Sequence, residues 1–265
     1  MLLKDKVAIV TGGSQGIGRR IAIVFAAEGA KVVVAARNLA RLQETVDAIT
    51  EKGGRALAVQ TDLCDEKQIE HMVALTIKTF GVVDVLVNNS GVAGPTVSVV
   101  DTDLGQWNEP LAINLTGSML CAKHVLKHMI PRKCGAIVNI GSERGRTGDG
   151  KSGSPMRASY ACSKAGMIAL TECLSTEVGT HNIRVNCVTA AAVRGERIVN
   201  VFKHQSEATG VSFEELMSKM VEDYSLRRAV EPDEVARAAA FLASDAASGI
   251  TGQTLPVSCG IHVIF

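Results

Sequence analysis

Short, uninterrupted apolar runs alternate with longer amphipathic stretches from one end of this chain to the other. The runs cover residues 7–10, 31–36, 56–59, 83–87, 136–140, 183–188 and about 253–257. Between them, helical periodicity predicts helices over 17–28, 39–52, 66–80, 104–130, 160–178 and 232–244. Pro232 suits the first turn of the last helix, where its missing N–H is not needed. A strand with one wet face alternates apolar and polar side chains. These runs do not alternate, so both their faces must be covered. Strands interleaved with helices in this way form βαβ units, and the expected fold is α/β, a doubly wound parallel β-sheet with helices on both faces. No repeat, low-complexity tract or linker divides the 265 residues, so a single domain over 1–265 is expected. Two segments break the rhythm: a Gly/Ser/basic stretch over 144–157 and a polar helical insertion over 194–228.

The 28 basic and 27 acidic side chains leave a formal net charge of +1. That balance provides no pull toward nucleic acid or an anionic membrane. With 6 Phe, 2 Tyr and 1 Trp, no base-stacking platform is expected either. The 7 cysteines are scattered without a Cys-x-x-Cys pair, which fits neither a disulfide framework nor a zinc site. His124 and His128 stand four apart on one predicted helix, but no Glu follows the first and no third ligand is evident. They read as a solvated or subunit-facing stripe, and no metal is expected. The opening Met1-Leu2-Leu3-Lys4-Asp5-Lys6 lacks the apolar stretch of a signal peptide. No apolar run approaches the roughly 20 residues that span a bilayer. The expected setting is the cytoplasm.

Thr11-Gly12-Gly13-Ser14-Gln15-Gly16-Ile17-Gly18 lies between the first predicted strand and the first predicted helix. Glycines there permit a tight turn and a close approach of backbone to a pyrophosphate, which the positive end of the next helix then faces. Such glycines can also be plain turn residues. Their position after the first strand of an alternating chain favours a dinucleotide site, with contacts from Gly12, Ser14, Gln15, Gly16, Ile17 and Gly18. An acid about 20 residues beyond such a loop reads a ribose hydroxyl. Here the second strand ends in Ala35-Ala36-Arg37-Asn38, with no acid. Arg37 can pair with a 2′-phosphate through its planar fork, or stand as a solvated residue at a helix start. On that residue NADP(H) is expected over NAD(H).

Tyr160 and Lys164, in Tyr160-Ala161-Cys162-Ser163-Lys164, share a helical face. A tyrosine is a poor base at its reference pKa of about 10, but an ammonium beside it favours the phenolate. The same phenol can then give a proton to a carbonyl receiving hydride, or take one from an alcohol. The pair alone is only suggestive. Cys162 points elsewhere on the helix and reads as a packing residue.

Taken in order, these motifs make the chain resemble the short-chain dehydrogenase/reductase family, in its single-domain Rossmann-like form, along nearly its whole length. Thr11 to Gly18 resembles the family's T-G-x-x-x-G-x-G loop, and Asp62-Leu63 its adenine-contacting pair. Asn88-Asn89-Ser90-Gly91 is similar to N-N-A-G, with Ser90 in place of Ala. Asn114 falls where the family's helix asparagine holds a relay water, and Ser142 where its serine bonds the substrate oxygen. The resemblance implies hydride transfer between a nicotinamide and a carbonyl or secondary alcohol. Tyr160 would be the acid/base and Lys164 would lower its pKa and hold the nicotinamide ribose. Ser142 would polarise the carbonyl, while Asn114 would sustain a proton relay. Asn89, Gly91 and the Val193 backbone would add cofactor contacts. It also implies a homotetramer, or a homodimer; the apolar tail 261–265 is a candidate contact or folds onto its own subunit.

Two departures from the family pattern stand out. Pro-Gly usually follows the sixth strand; this chain has Val188-Thr189-Ala190-Ala191-Ala192-Val193-Arg194-Gly195. Two alanines remove both the fixed φ of proline and the freedom of glycine. The loop between Ser142 and Tyr160 is also longer than usual and carries Arg144, Arg146, Lys151 and Arg157. With Arg194 and Arg197 on the other wall, Arg144 would suit a carboxylate, sulfonate or phosphate on the substrate. A solvated loop or a subunit contact accounts for the same residues. The 194–228 insertion reads as a substrate lid. The leading function is an NADP(H)-dependent oxidoreductase on a small carbonyl or alcohol substrate. The alternatives are a 3-oxoacyl-[acyl-carrier-protein] reductase and, from another class, a cofactor-sensing binding protein without catalysis.

Overall fold

The computed structural model describes residues 1–146, 156–195, 198–199, 202–203, 206, 210–222 and 224–261. Its centre is a parallel sheet of strands β1 (Val7–Thr11), β2 (Lys31–Ala36), β3 (Arg55–Gln60), β4 (Val85–Asn88), β5 (Gly135–Ile140), β6 (Ile183–Ala190) and β7 (Thr254–Val257), in the order β3-β2-β1-β4-β5-β6-β7. The strand order reverses between β1 and β4, and in such sheets ligands bind beyond the carboxyl ends at that switch point. The helices are α1 (Gly16–Ala27), α2 (Leu39–Thr50), α3 (Glu66–Phe80), α4 (Leu104–Pro110), α5 (Gly117–Arg132), α6 (Ala158–Val178), α7 (Phe213–Val221) and α8 (Pro232–Ala243).

The apolar runs of the central strands are continuous because alternate side chains enter different cores, whereas the edge strand β7 leaves Leu255 and Pro256 exposed. Ala8, Val10, Val32 and Val34 pack with Ile21 and Phe25 of α1, Leu42 of α2 and Val235 of α8. Ile9, Val33 and Leu86 face the other way, against Ile69 and Met72 of α3 and Val125 of α5. Local signals define the helix ends. Asn38 caps α2 by accepting from the Arg41 amide at 3.1 Å, and Asp65 caps α3 by accepting from Lys67 at 2.9 Å. Pro232 occupies the first turn of α8, beneath a reciprocal Glu231–Glu234 capping box.

The structure departs from the sequence expectations in four places. The helix expected over 104–130 contains a π-helical turn, Leu111–Thr116, between α4 and α5. Such turns are rare and recur at functional sites; this one carries Asn114. Strand β6 runs on to Ala190, which pairs with Val257, so the first alanine replacing Pro-Gly continues the sheet. His124 is not solvated: it is buried, its Nε2 lying 3.0 Å from Glu66 Oε1 of α3, while His128 is exposed. Cys162 is exposed rather than packed, because α6 turns Ser159, Ser163, Lys164 and Met167 inward and Cys162 lies off that face. Of the expected lid, α7 is described; Arg197 and the tail 262–265 lie outside the described residues. No helix among the described residues is long and apolar enough to cross a membrane.

Candidate active site

The glycine loop is tied to the end of β4 by a compact set of hydrogen bonds. Thr11 Oγ1 accepts from the amides of Asn89 and Ser90 at 3.0 and 3.1 Å. Asn89 Nδ2 donates back to the Thr11 and Gly12 carbonyls at 3.0 and 3.4 Å. Gly12 (φ 67°) and Gly16 (φ 54°) adopt left-handed conformations that other residues enter only with strain. A Cβ on Gly18 would collide with the Gly12 carbonyl oxygen and Asn89 Nδ2, so α1 starts directly beneath the loop. At Gly16, by contrast, a Cβ would meet nothing within 4 Å. Beside that open space, α1 follows its N-cap residue Gln15 with no side chain capping its first amides. A bare glycine surface next to uncapped amides fits the diphosphate of a dinucleotide.

Arg37 is exposed at the end of β2, its carbonyl accepting from Gln60 Nε2 at 2.9 Å. A second guanidinium that sequence reasoning missed stands near the loop: Arg41 Nη1 donates to Gln15 Oε1. Its first-turn position on α2 was the available signal. Asp62 is half-buried, with its Oδ1 accepting from the Cys64 amide at 2.9 Å, and Leu63 is buried.

The remaining candidate residues converge beyond β4, β5 and β6. Lys164 is buried, its Nζ donating to the Ile140 carbonyl at 2.8 Å. A Cβ added to Gly91 would lie 3.6 Å from that Nζ and 3.1 Å from Asn114 Oδ1, so Gly91, Asn114 and Lys164 meet at one point. Asn114 is fully buried and braces the β4 loop: its Oδ1 accepts from the Val92 amide at 2.8 Å and its Nδ2 donates to the Val92 carbonyl at 3.1 Å. The same amide reaches Ser163 Oγ at 2.9 Å, which donates to the Tyr160 carbonyl at 2.7 Å. The π turn of Asn114 and the helix of Tyr160 are thereby locked together.

Ser142 is buried, its Oγ accepting from the Arg144 amide at 3.2 Å in a short turn, Glu143–Gly145. A Cβ on Gly145 would overlap the Lys164 backbone, so this turn presses against α6 at the lysine. The guanidinium of Arg157 lies 5.2 Å from the centre of the Tyr160 ring and donates to the Ala93 carbonyl at 3.0 Å. Glu143 is a buried carboxylate that accepts from Thr189 Oγ1 and pairs with Arg146 at 3.5 Å. Nothing in its sequence context distinguishes it from a surface acid.

The expected anion-binding residues separate. Arg194 pairs with Glu231 at 2.8 Å and is largely exposed. Arg144 is exposed and its side chain has no hydrogen-bond or ion-pair partner among the described residues. It lies close enough to Tyr224 to influence that phenol. Val193 is half-buried and bridges Val230. Among the described residues no group of three or more His, Cys, Asp and Glu side chains gathers as a metal site.

Residues 12–262 match a family model described as enoyl-(acyl carrier protein) reductase. The chain is 34% identical over 264 residues to a 3-oxoacyl-[acyl-carrier-protein] reductase of Synechocystis sp., covering 98% of each. It is 36% identical over 261 residues to the cis-4-hydroxycyclohexanecarboxylate dehydrogenase of Sinomonas cyclohexanicum, again covering 98% of each. Among solved structures, an actinorhodin polyketide ketoreductase crystallised with NADPH superimposes with a TM-score of 0.90 at 34% identity, over 97% of each chain. An NAD⁺-bound xylitol dehydrogenase does so with a TM-score of 0.90 at 29% identity, over 98% of this chain and 100% of that one.

Proposed function

The chain belongs to the short-chain dehydrogenase/reductase family, oxidoreductases that act on alcohol and carbonyl groups, and on that premise we propose that it interconverts a small carbonyl compound and its secondary alcohol with NADP(H). The observation that carries this reading is the buried Lys164 ammonium on the helix of Tyr160, against which the Ser142 turn packs. The nicotinamide supplies or accepts the hydride when bound. The protein's part is to hold the substrate oxygen and to move a proton. Ser142 Oγ–H donates to that oxygen, and the Tyr160 phenol gives it a proton in reduction or takes one in oxidation. Lys164 favours the phenolate after transfer, and Asn114 sustains the relay to solvent. The glycine loop holds the diphosphate, Asp62 and Leu63 the adenine side, and Asn89, Gly91 and Val193 the nicotinamide side. Of the 194–228 insertion, the described helix α7 would cover the substrate.

The decisive experiment is to titrate the purified protein with NADPH and with NADH, then follow oxidation of the preferred one across a panel of carbonyl compounds. Binding of neither cofactor overturns the reading. Arg37→Ala is expected to weaken NADPH by about 10- to 100-fold, the worth of one charge-assisted pair, and to leave NADH within about twofold. Equal losses for both cofactors, measured by fluorescence titration, would remove Arg37 as the phosphate reader.

Arg144, exposed two residues after Ser142, favours an acidic substrate. A carboxylated ring alcohol, as in the name of the Sinomonas relative, is one candidate, and a 3-oxoacyl group, as in that of the Synechocystis relative, is another. Arg144→Ala should lower kcat/KM about tenfold for an anionic carbonyl compound and leave a matched neutral one unchanged. Equal effects on both would sink the anion reading.

A further inference from the structure

The family's Pro-Gly fixes the turn after the sixth strand, and the two alanines here leave unexplained what holds that segment. Its bonds run along both sides. Ala191 N–H donates to the Val257 carbonyl at 3.2 Å, the Ala192 carbonyl accepts from Val230 N–H at 2.9 Å, and Arg194 N–H donates to the Val230 carbonyl at 2.8 Å. Within this segment the Ala192 N–H donates to a side chain: the Tyr224 hydroxyl, at 3.3 Å.

Tyr224 is built into the molecule rather than laid on it. It is 5% exposed and belongs to the same buried cluster as Val230, Val235 and Cys259, against which Ala191, Ala192 and Val193 also pack. Its own backbone is held from two directions, by its N–H donating to the Val221 carbonyl at 3.0 Å and by its bridge to Ile261. The next two amides continue the pairing, Ser225 to Gly260 and Leu226 to Cys259, both at 3.0 Å. Burial pushes the phenol up from its ordinary pKa, against the opposing pull of the Ala192 amide bond and the Arg144 cation, with smaller upward contributions from Cys259 and the Glu143 carboxylate. A neutral phenol oxygen is therefore the acceptor that Ala192 meets. Tyr224 shares no sequence motif with the glycine loop or with Tyr160, so nothing in the family pattern draws attention to it.

We propose that Tyr224 is a positioning residue for the nicotinamide side of the cofactor. Its hydroxyl fixes the Ala192 amide, and thereby the adjoining Val193 backbone, in place of the stiffness that Pro-Gly would provide. This rests on the reading above, in which the Val193 backbone meets the nicotinamide carboxamide. A lateral clamp differs from proline in one testable respect: a single oxygen can be removed while the ring and its packing remain.

The test compares Tyr224→Phe with wild type against two ligands, NADPH and 2′,5′-ADP, which lacks the nicotinamide half. The expected result is a rise in the NADPH Kd of about three- to tenfold, the worth of one neutral hydrogen bond, with the 2′,5′-ADP Kd unchanged. An unchanged NADPH Kd overturns the proposal, as does an equal loss for both ligands, which would mean a general disturbance. A wild type that binds 2′,5′-ADP and not NADPH overturns it too, and one that binds neither removes the cofactor reading with it. A second measurement covers a variant that folds poorly: in ¹⁵N-labelled wild type the Ala192 amide should exchange slowly with solvent. Rapid exchange there overturns the clamp whatever the variant does.

Discussion

Tyr160→Phe is expected to lower kcat by about 10²- to 10⁴-fold, the usual worth of a positioned proton donor, while the NADPH Kd stays within about twofold. The substitution deletes one oxygen and keeps the ring. Phenylalanine can still lie under the Arg157 guanidinium, which sits 5.2 Å from the ring centre, so the shape of the pocket wall is kept. The bond from Ser163 to the Tyr160 carbonyl involves backbone and survives, and with it the brace to Asn114. Lys164 keeps its bond to the Ile140 carbonyl. What disappears is the group that can carry a proton to the substrate oxygen. Steady-state kinetics beside a cofactor titration would separate the two effects. Near-normal turnover would remove Tyr160 as the acid/base. Wild type that binds NADPH but turns over no carbonyl or alcohol would point to the cofactor-sensing alternative.

The sheet was legible because its chemistry is redundant. Every strand buried on two faces must be apolar at consecutive positions, and the alternation of Ile9 and Val10 between two cores is the physical form of that pattern. The loop from Gly12 to Gly18 was legible for a related reason. Left-handed torsions and contact with the Gly12 carbonyl exclude side chains at defined spacings. What stayed hidden depends on partners far along the chain. The buried Glu143 is satisfied by Thr189, 46 residues away, and the buried His124 by Glu66, 58 residues away. Periodicity could not reveal the π turn at Leu111–Thr116 either, since one extra residue in a turn barely disturbs a pattern of 3.6. That turn decides how Asn114 enters the site. A contact made by tertiary folding, as between Tyr224 and Ala192, leaves no local mark in the sequence.

Two glycines within seven residues of the end of β1 should fail in opposite ways when changed to alanine. Gly18→Ala sets a methyl against the Gly12 carbonyl group, whose carbon would lie 2.7 Å away, and against Asn89 Nδ2. Neither can retreat cheaply, because Gly12 N–H is fixed to the Ala35 carbonyl at 2.7 Å and Asn89 to Thr11. Overpacking of this kind costs about 1–3 kcal/mol, which for a chain of this size lowers Tm by about 2–10 °C. The loop must shift as well, so NADPH binding should fall with stability. Gly16→Ala meets no neighbour within 4 Å and bears only the strain of its φ of 54°, about 1–2 kcal/mol. Its methyl instead occupies the open space beside the uncapped amides of α1, where the diphosphate would lie. Loss of one charge-assisted backbone bond there would raise the NADPH Kd by about 10- to 100-fold, with Tm reduced by only about 2–6 °C. Thermal melts and NADPH titrations on both variants test the contrast. If Gly16→Ala binds NADPH as wild type does, the space above Gly16 is not the phosphate cradle. If Gly18→Ala melts as wild type does, the contact between α1 and the loop is not what sets that glycine.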